Sequence, residues 1–270
     1  MNHIPGINDV FQLNRLTRLH NGKNVFFCKT DRLQELFVTL KEHVVPSILI
    51  SGNSDCPVTD DLASNAPPCI KKWFSQVVNT DHPAVSALPF GIDNHEDCII
   101  PGHGPAAPHA REKISLLSSP LKAFPSKEIY ANFSLQTHPV RQEIYNICKK
   151  MPYITTKVAH THHACYSRSY TQYVMDILDH KMVICPRGNA PADTHRFWET
   201  LYAGRIPIIK KNKGNSFFTN LPVIVLETWE KLTDLDFLNS ELEKVKNNPK
   251  DMLQASYWET LILKEINELK

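Results

Sequence analysis

The run CPRGNAPADTHRFWE, residues 185–199, puts two arginines, a glycine, an asparagine and a histidine on a short link. An apolar, strand-like stretch precedes it and an aromatic, helix-like one follows. Each residue type has a use there. Gly188 permits close approach of a ligand to the backbone, or a positive φ. Asp193 or Thr194 stands where a helix N-cap belongs, and the unpaired N–H groups of a helix start favour an anion. Arg187 and Arg196 offer planar, forked donors suited to phosphate oxygens. Asn189 and His195 add further polar groups. Glu199 falls more than one turn inside the helix and shares a face with Arg196. A carboxylate there can accept two ribose hydroxyls, as acidic residues do in nucleotide-binding folds. The chemistry these types suggest is the holding of a nucleotide's phosphates and ribose. The competing reading is a surface helix with an ordinary ion pair.

Such a loop needs elements to position it, and the rest of the chain reads as alternating strands and helices. Residues 24–29 read as a strand, and Asp31 caps a helix running to about Val44. Residues 47–51 form a short buried strand that ends in the loop GNSDCPVTDD. Residues 69–78 (CIKKWFSQVV) read as a helix and 85–90 as a strand, and 93–109 make a long irregular loop of the kind that usually carries function. In the second half, strands are expected at 128–133, 153–157, 181–185, 206–209 and 222–226. Helices are expected at 138–149, 167–179, 194–203 (stopped by Gly204), 234–247 and 250–269. This alternation predicts an α/β protein with parallel sheets and helices on both faces. The proline-rich break SSPLKAFPSK, 118–127, divides it into two smaller α/β domains, 1–122 and 123–248. The segment 249–270 is a last helix whose stripe of Trp258, Leu261, Ile262 and Ile266 is a packing face. In such sheets ligands sit at the carboxyl ends of strands. That rule directs attention to the loops after Ile50, Phe90, Phe133 and Cys185.

Composition removes several classes of function. A formal net charge of +2, from 30 Lys+Arg against 28 Asp+Glu, is not the footprint of a nucleic-acid binder. The seven cysteines include no C-x-x-C pair, which argues for reduced thiols rather than a disulfide framework or a zinc knuckle. The opening MNHIPGINDVFQLNR has no long apolar stretch, so no secretory signal is expected. The apolar runs are strand-sized, well short of the roughly 18 residues of a membrane span.

The stretch ICPRGNAPADTHRFWETLYAGRIPII, 184–209, resembles the motif of exostosin-like glycosyltransferases: a strand, PRG-N-G, D-x-H-R-x-W-E-A-L, then G-x-I-P-I. Further pieces fit in order: SILISGNSD at 47–55, KKWFSQ at 71–76, LPFGID at 88–93 and LPVIVLETW at 221–229. The resemblance therefore covers most of the chain. The departure is Ala190-Pro191-Ala192, where the pattern has a glycine and one residue fewer. The resemblance implies the two-domain GT-B fold, two Rossmann-like domains facing a cleft with the C-terminal helix packing back on the first, the donor nucleotide mainly on the second domain and the acceptor mainly on the first. It implies that Arg187, Gly188, Asn189, Asp193, Thr194, His195 and Arg196 surround the donor diphosphate, and that Glu199 binds the ribose. It also implies an inverting transfer without a metal or other cofactor, the leaving charge being met by the helix dipole and basic side chains. The donor is expected to be a UDP-sugar, with xylose a candidate beside hexoses and glucuronic acid. The acceptor is expected to be an oligosaccharide or glycoprotein glycan. With no membrane anchor in its sequence, the chain is similar to bacterial or large-virus members acting in the cytoplasm (the host's, if viral). The alternative is a protein of the same fold that binds nucleotide sugars or glycans without catalysis.

Two more sets of residues take meaning in that frame. The segment YANFSLQTHPVRQEIY, 130–145, is a second strand, loop and helix start, from which Ser134, Thr137, His138 and Arg141 reach toward the diphosphate. A capping turn explains Thr137 equally well. An inverting transfer also needs a base on the first domain to take the acceptor's proton. Asp55, at the end of the strand SILIS, is the first choice, with Asp60, Asp61, Asp93 and His95 as rivals and an Asx-turn as its ordinary explanation. The histidines His160, His162, His163, His103 and His109 lack the carboxylate spacing of a zinc site. They read as a solvated or acceptor-facing loop, with Arg111 and Arg168 as exposed cations.

Overall fold

The computed structural model describes residues 9–118, 124–159 and 169–269. His160, His162, His163, Arg168 and the 122/123 boundary lie outside the described residues. In the first half the elements run β1 (Val25–Lys29), α1 (Leu33–Thr39), β2 (Ser47–Gly52), β3 (Val58–Thr59), α2 (Asp60–Ser64), β4 (Ile70–Ser75), β5 (Val78–Asn79), β6 (Val85–Ala87) and α3 (Ala110–Ser118). In the second half they run β7 (Lys127–Ala131), α4 (Val140–Cys148), β8 (Ile154–Thr156), α5 (Tyr170–Leu178), β9 (His180–Ile184), α6 (His195–Tyr202), β10 (Ile206–Lys210), β11 (Ile224–Leu226), α7 (Leu235–Val245) and α8 (Ala255–Glu268). Among the described residues the strands build two large parallel sheets, ordered β1-β2-β4-β6 and β11-β10-β9-β7-β8, and a two-stranded parallel pair, β3-β5. The expected α/β class with parallel Rossmann-like sheets is what the chain adopts.

One element differs in kind from the sequence reading. Residues 70–75 are strand β4, not a helix, and β4 lies between β2 and β6. Ile70, Trp73, Phe74 and Val77 mimic a helical stripe. An interior strand covered on both faces loses the alternation that marks a half-exposed one. The tertiary setting is visible at Trp73, whose indole donates to Ser51 Oγ at 2.9 Å, while Ser51 Oγ donates to Ser75 Oγ at 2.9 Å. Helix α1 also ends earlier than Val44, at Thr39.

The second sheet sorts its residues by the two-residue period. Ile129, Ala131, Met182, Ile184 and Ile208 face one core, which α4 and α7 close. Tyr130, Val183, Cys185 and Ile209 face the other, which runs on through Phe197 and Trp198 of α6 into the core of the first half. An aromatic column carries it across. Trp198 packs edge-on to Phe218 (centroids 5.1 Å apart), Phe218 to Trp258 (6.2 Å) and Trp258 to Phe11 (6.2 Å). Tyr202 pins the same junction, accepting from Phe11 N at 2.8 Å and donating to Leu253 O at 2.7 Å. Helix α8 therefore docks on the first half, where Ala255 N also donates to Asp9 O at 2.8 Å and Arg18 pairs with Glu259.

Candidate functional site

The four loops singled out by the strand-end rule meet in one cleft between the two sheets. The loop after β2 touches the loop after β9, where Asn189 Nδ2 donates to Asp55 Oδ2 at 3.3 Å. The loop after β6 touches the same segment twice. Phe90 N donates to Asp193 Oδ2 at 3.1 Å, and His195 Nδ1 lies 2.8 Å from Gly91 O. The loop after β7 joins through Arg141, which donates from Nε to Arg187 O at 2.9 Å and from Nη1 to Ser134 O at 3.1 Å.

The phosphate-suited residues gather on the second-half side. Helix α6 starts at His195 with Thr194 as N-cap residue, yet Thr194 makes no capping bond and its Oγ1 is buried without a partner. Ser134 Oγ and Arg196 Nε are also buried without partners. Arg187 folds back on its own loop, donating to Gly188 O at 3.3 Å and Asn189 O at 2.9 Å. The cationic character of the place is felt by His138. Burial first, then the Arg187 and Arg141 charges, hold its imidazole below the usual histidine range. Gly188 does not carry the expected positive φ. A Cβ there would meet only Thr194 Cγ2 at 3.7 Å and Arg141 Nη2 at 3.9 Å, so the position is open rather than strained. Thr137 ends a 3-10 turn, Leu135–Thr137, and caps no helix.

Two expected donor contacts are spent on structure instead. Asp193 is buried, and its Oδ2 accepts from both the Trp198 indole and Phe90 N, clamping α6 to the loop after β6. Glu199 is buried too. Its Oε2 accepts from Tyr173 OH at 2.9 Å and its Oε1 lies 3.3 Å from Lys113 Nζ. Lys113, on α3, escaped the sequence reading. It pairs with Asp93 and Glu199 and lies 4.8 Å from the Tyr170 ring centroid, joining the halves below the cleft. Burial lowers the affinity of Lys113 for its proton, but Glu199 and Asp93 outweigh this and hold it above the usual lysine range.

On the first-half side a cavity of about 330 Å3 is lined by Asn53, Asp55, Gln76, Asp93, Asn94 and His195, among others. Asp55 is exposed in it. Asp93 is half-buried: burial would raise its carboxyl, but His195 and Lys113 hold it below the usual range. The rivals Asp60 and His95 are engaged elsewhere, Asp60 with Thr80 and His95 with Gln12 and Glu96. Asp61 is exposed in the first turn of α2. A lattice of amides aims the Asp55 loop. Asn53 sits at φ 51°, a left-handed conformation in which asparagine is several-fold enriched. Its Nδ2 donates to Asn14 Oδ1 at 2.8 Å and His103 O at 2.7 Å, and its backbone N donates to Gln76 Oε1 at 2.9 Å. Nothing in the sequence spacing marks that lattice. Among the described residues no cluster of three or more His, Cys, Asp or Glu could hold a metal ion, and no helix is long and apolar enough to cross a membrane.

The Ala190-Pro191-Ala192 departure also has a structural role. Ala190 and Ala192 are buried against Val77 and Phe90, and Lys213 pairs with Asp81 at 2.6 Å. The second-half loop is thus seated in the first half.

Asp193 makes a stability prediction. Burial pushes its carboxyl up to about 7, against the lowering effect of its two donors. A carboxyl raised on folding contributes stability that is complete below its unfolded pKa of roughly 4 and is lost as pH rises through the folded value. The buried histidines with lowered values, such as His180, act in the opposite sense. The difference between proteins therefore isolates Asp193. Asp193→Asn is expected to raise the melting temperature relative to wild type by a few degrees more at pH 8 than at pH 5. A pH-independent difference would show that Asp193 stays ionised in the fold.

No protein-family model matches the chain, and no curated protein matches it. Among solved structures, the chain is similar to the wall teichoic acid polymerase TagF, with 9% identity over 95% of this chain and 94% of that one and a TM-score of 0.29. Two variants of TagF match with 10% and 9% identity and TM-scores of 0.32 and 0.28, each covering 95% of this chain and 93% of the other.

Proposed function

We propose that the protein is an inverting glycosyltransferase of the exostosin-like, GT-B kind. In this reading it takes a sugar from a UDP-sugar whose diphosphate lies against the 187–196 loop and the start of α6. The observation that carries it is the set of partnerless buried donors there: Ser134 Oγ, Thr194 Oγ1 and Arg196 Nε. Such atoms cost about 1–3 kcal/mol each when unsatisfied. They stand at the carboxyl ends of β7 and β9, beside Arg141 and Arg187 and a helix N-terminus, where a phosphate's oxygens satisfy them. The motif resemblance of residues 184–209 supports the same assignment.

The chemistry then runs across the cleft. Asp55 accepts the proton of the acceptor hydroxyl. That oxygen bonds to the anomeric carbon from the face opposite the diphosphate. The bond from the anomeric carbon to the phosphate oxygen breaks, and UDP leaves with the electron pair. The arginines and the α6 amides take up the charge that develops on the leaving oxygen.

The test is binding of UDP. At a hundredfold excess over its dissociation constant, a ligand specific for the folded state adds about 2.7 kcal/mol of stability. For a chain of this size that raises the melting temperature by about 5 °C. UDP is expected to produce such a shift and uridine little of it. The His138 imidazole, followed by NMR, is expected to titrate at higher pH once the diphosphate offsets Arg187 and Arg141. No shift with UDP would sink the donor assignment. Binding of UDP-sugars without any release of UDP would favour a non-catalytic binding protein.

A further inference from the structure

The charges around the cleft bear on which sugar it takes, an inference that rests on the donor reading above. The cavity of about 330 Å3 touches the diphosphate loop at His195 and the candidate base at Asp55, so the donor's sugar falls inside it. Two carboxylates line that space, Asp55 and Asp93. A lysine and a histidine stand near them, and both are committed. Lys113 serves Asp93 and Glu199. His195 has Gly91 O on one ring nitrogen at 2.8 Å and Asp93 Oδ1 on the other at 3.4 Å. The remaining polar lining named above is amide: Asn53, Gln76 and Asn94. Among the described residues, Asp55 itself meets an amide, Asn189 Nδ2.

We propose that the cleft selects donors whose sugar is uncharged and rejects uronic-acid donors. A neutral sugar's hydroxyls find acceptors in the carboxylates and both donors and acceptors in the amides. A uronate would place a third carboxylate beside two others, with no uncommitted lysine, arginine or histidine among the described lining residues to meet it. Repulsion between like charges a few ångströms apart in a partly screened cleft is large enough to cost a decade of affinity, about 1.4 kcal/mol.

The experiment is calorimetric titration of the wild-type chain with UDP, UDP-glucose and UDP-glucuronate. It is run at low and at raised salt and repeated with Asp55→Asn, a change at an exposed position. UDP and UDP-glucose are expected to bind, with UDP-glucuronate at least about tenfold weaker than UDP-glucose. That gap is expected to shrink at raised salt and to fall to a few-fold in Asp55→Asn. If UDP binds and the two sugar nucleotides bind alike, the charge selection is wrong and the donor site stands. A gap that Asp55→Asn leaves untouched also overturns it. If UDP itself does not bind, the donor reading fails and this inference falls with it.

Discussion

Asp55→Asn is expected to lower sugar transfer by about a hundredfold or more while UDP affinity stays within about twofold of wild type. The two halves of this expectation come from different sides of the cleft. Asp55 is exposed and belongs to the first half, where, among the described residues, it meets the Asn189 amide at 3.3 Å. Asparagine keeps the size of the side chain and removes its ability to take a proton. The phosphate-facing atoms of Ser134, Thr194 and Arg196 lie on the second half and are untouched. Steady-state turnover beside a titration with UDP separates the two effects. Near-normal turnover would transfer the base to Asp93, the other carboxylate lining the cavity.

Arg196→Met is expected to weaken UDP binding by about 30- to 100-fold, which is roughly 2–3 kcal/mol. The fold should remain as stable as before, or become slightly more so. Arg196 Nε is buried without a partner, and no hydrogen bond or ion pair holds the guanidinium among the described residues. The nearby Glu199 carboxylate still favours its charge against burial. A desolvated cation lacking a hydrogen-bonded counter-ion burdens the folded state, and replacing it with an apolar group of similar length removes that burden. Loss of affinity without loss of stability is the mark of a group kept for a ligand rather than for the fold. Thermal unfolding and UDP titration of the same variant supply both readings. A melting temperature lowered by several degrees would instead make Arg196 a structural residue.

The donor side and the lining of the cleft were legible to different degrees. The strand, loop and helix of 180–202 follow from local signals, and so does the stop at Gly204, whose φ of +70° is the left-handed value expected of it. The amide lattice around Asn53 and the Asp93–Lys113–Glu199 cluster follow from none. Lys113 lies 20 residues from Asp93 and 86 from Glu199, and only the packing of α3 between the sheets brings them together.

The sequence by itself determined the α/β alternation and which four loops to inspect. Those features rest on hydrophobic period, caps and breakers, interactions that reach only a few residues along the chain. The tertiary structure alone decided that residues 70–75 are an interior strand, because burial on both faces erases the period that separates strand from helix. It also decided that Asp193 and Glu199 are clamps rather than free carboxylates. A carboxylate's role depends on whether donors from distant segments fill it. Here Phe90 and Trp198 both engage one oxygen of Asp193, and Tyr173 and Lys113 engage Glu199, while Arg196 Nε beside them is left without an acceptor.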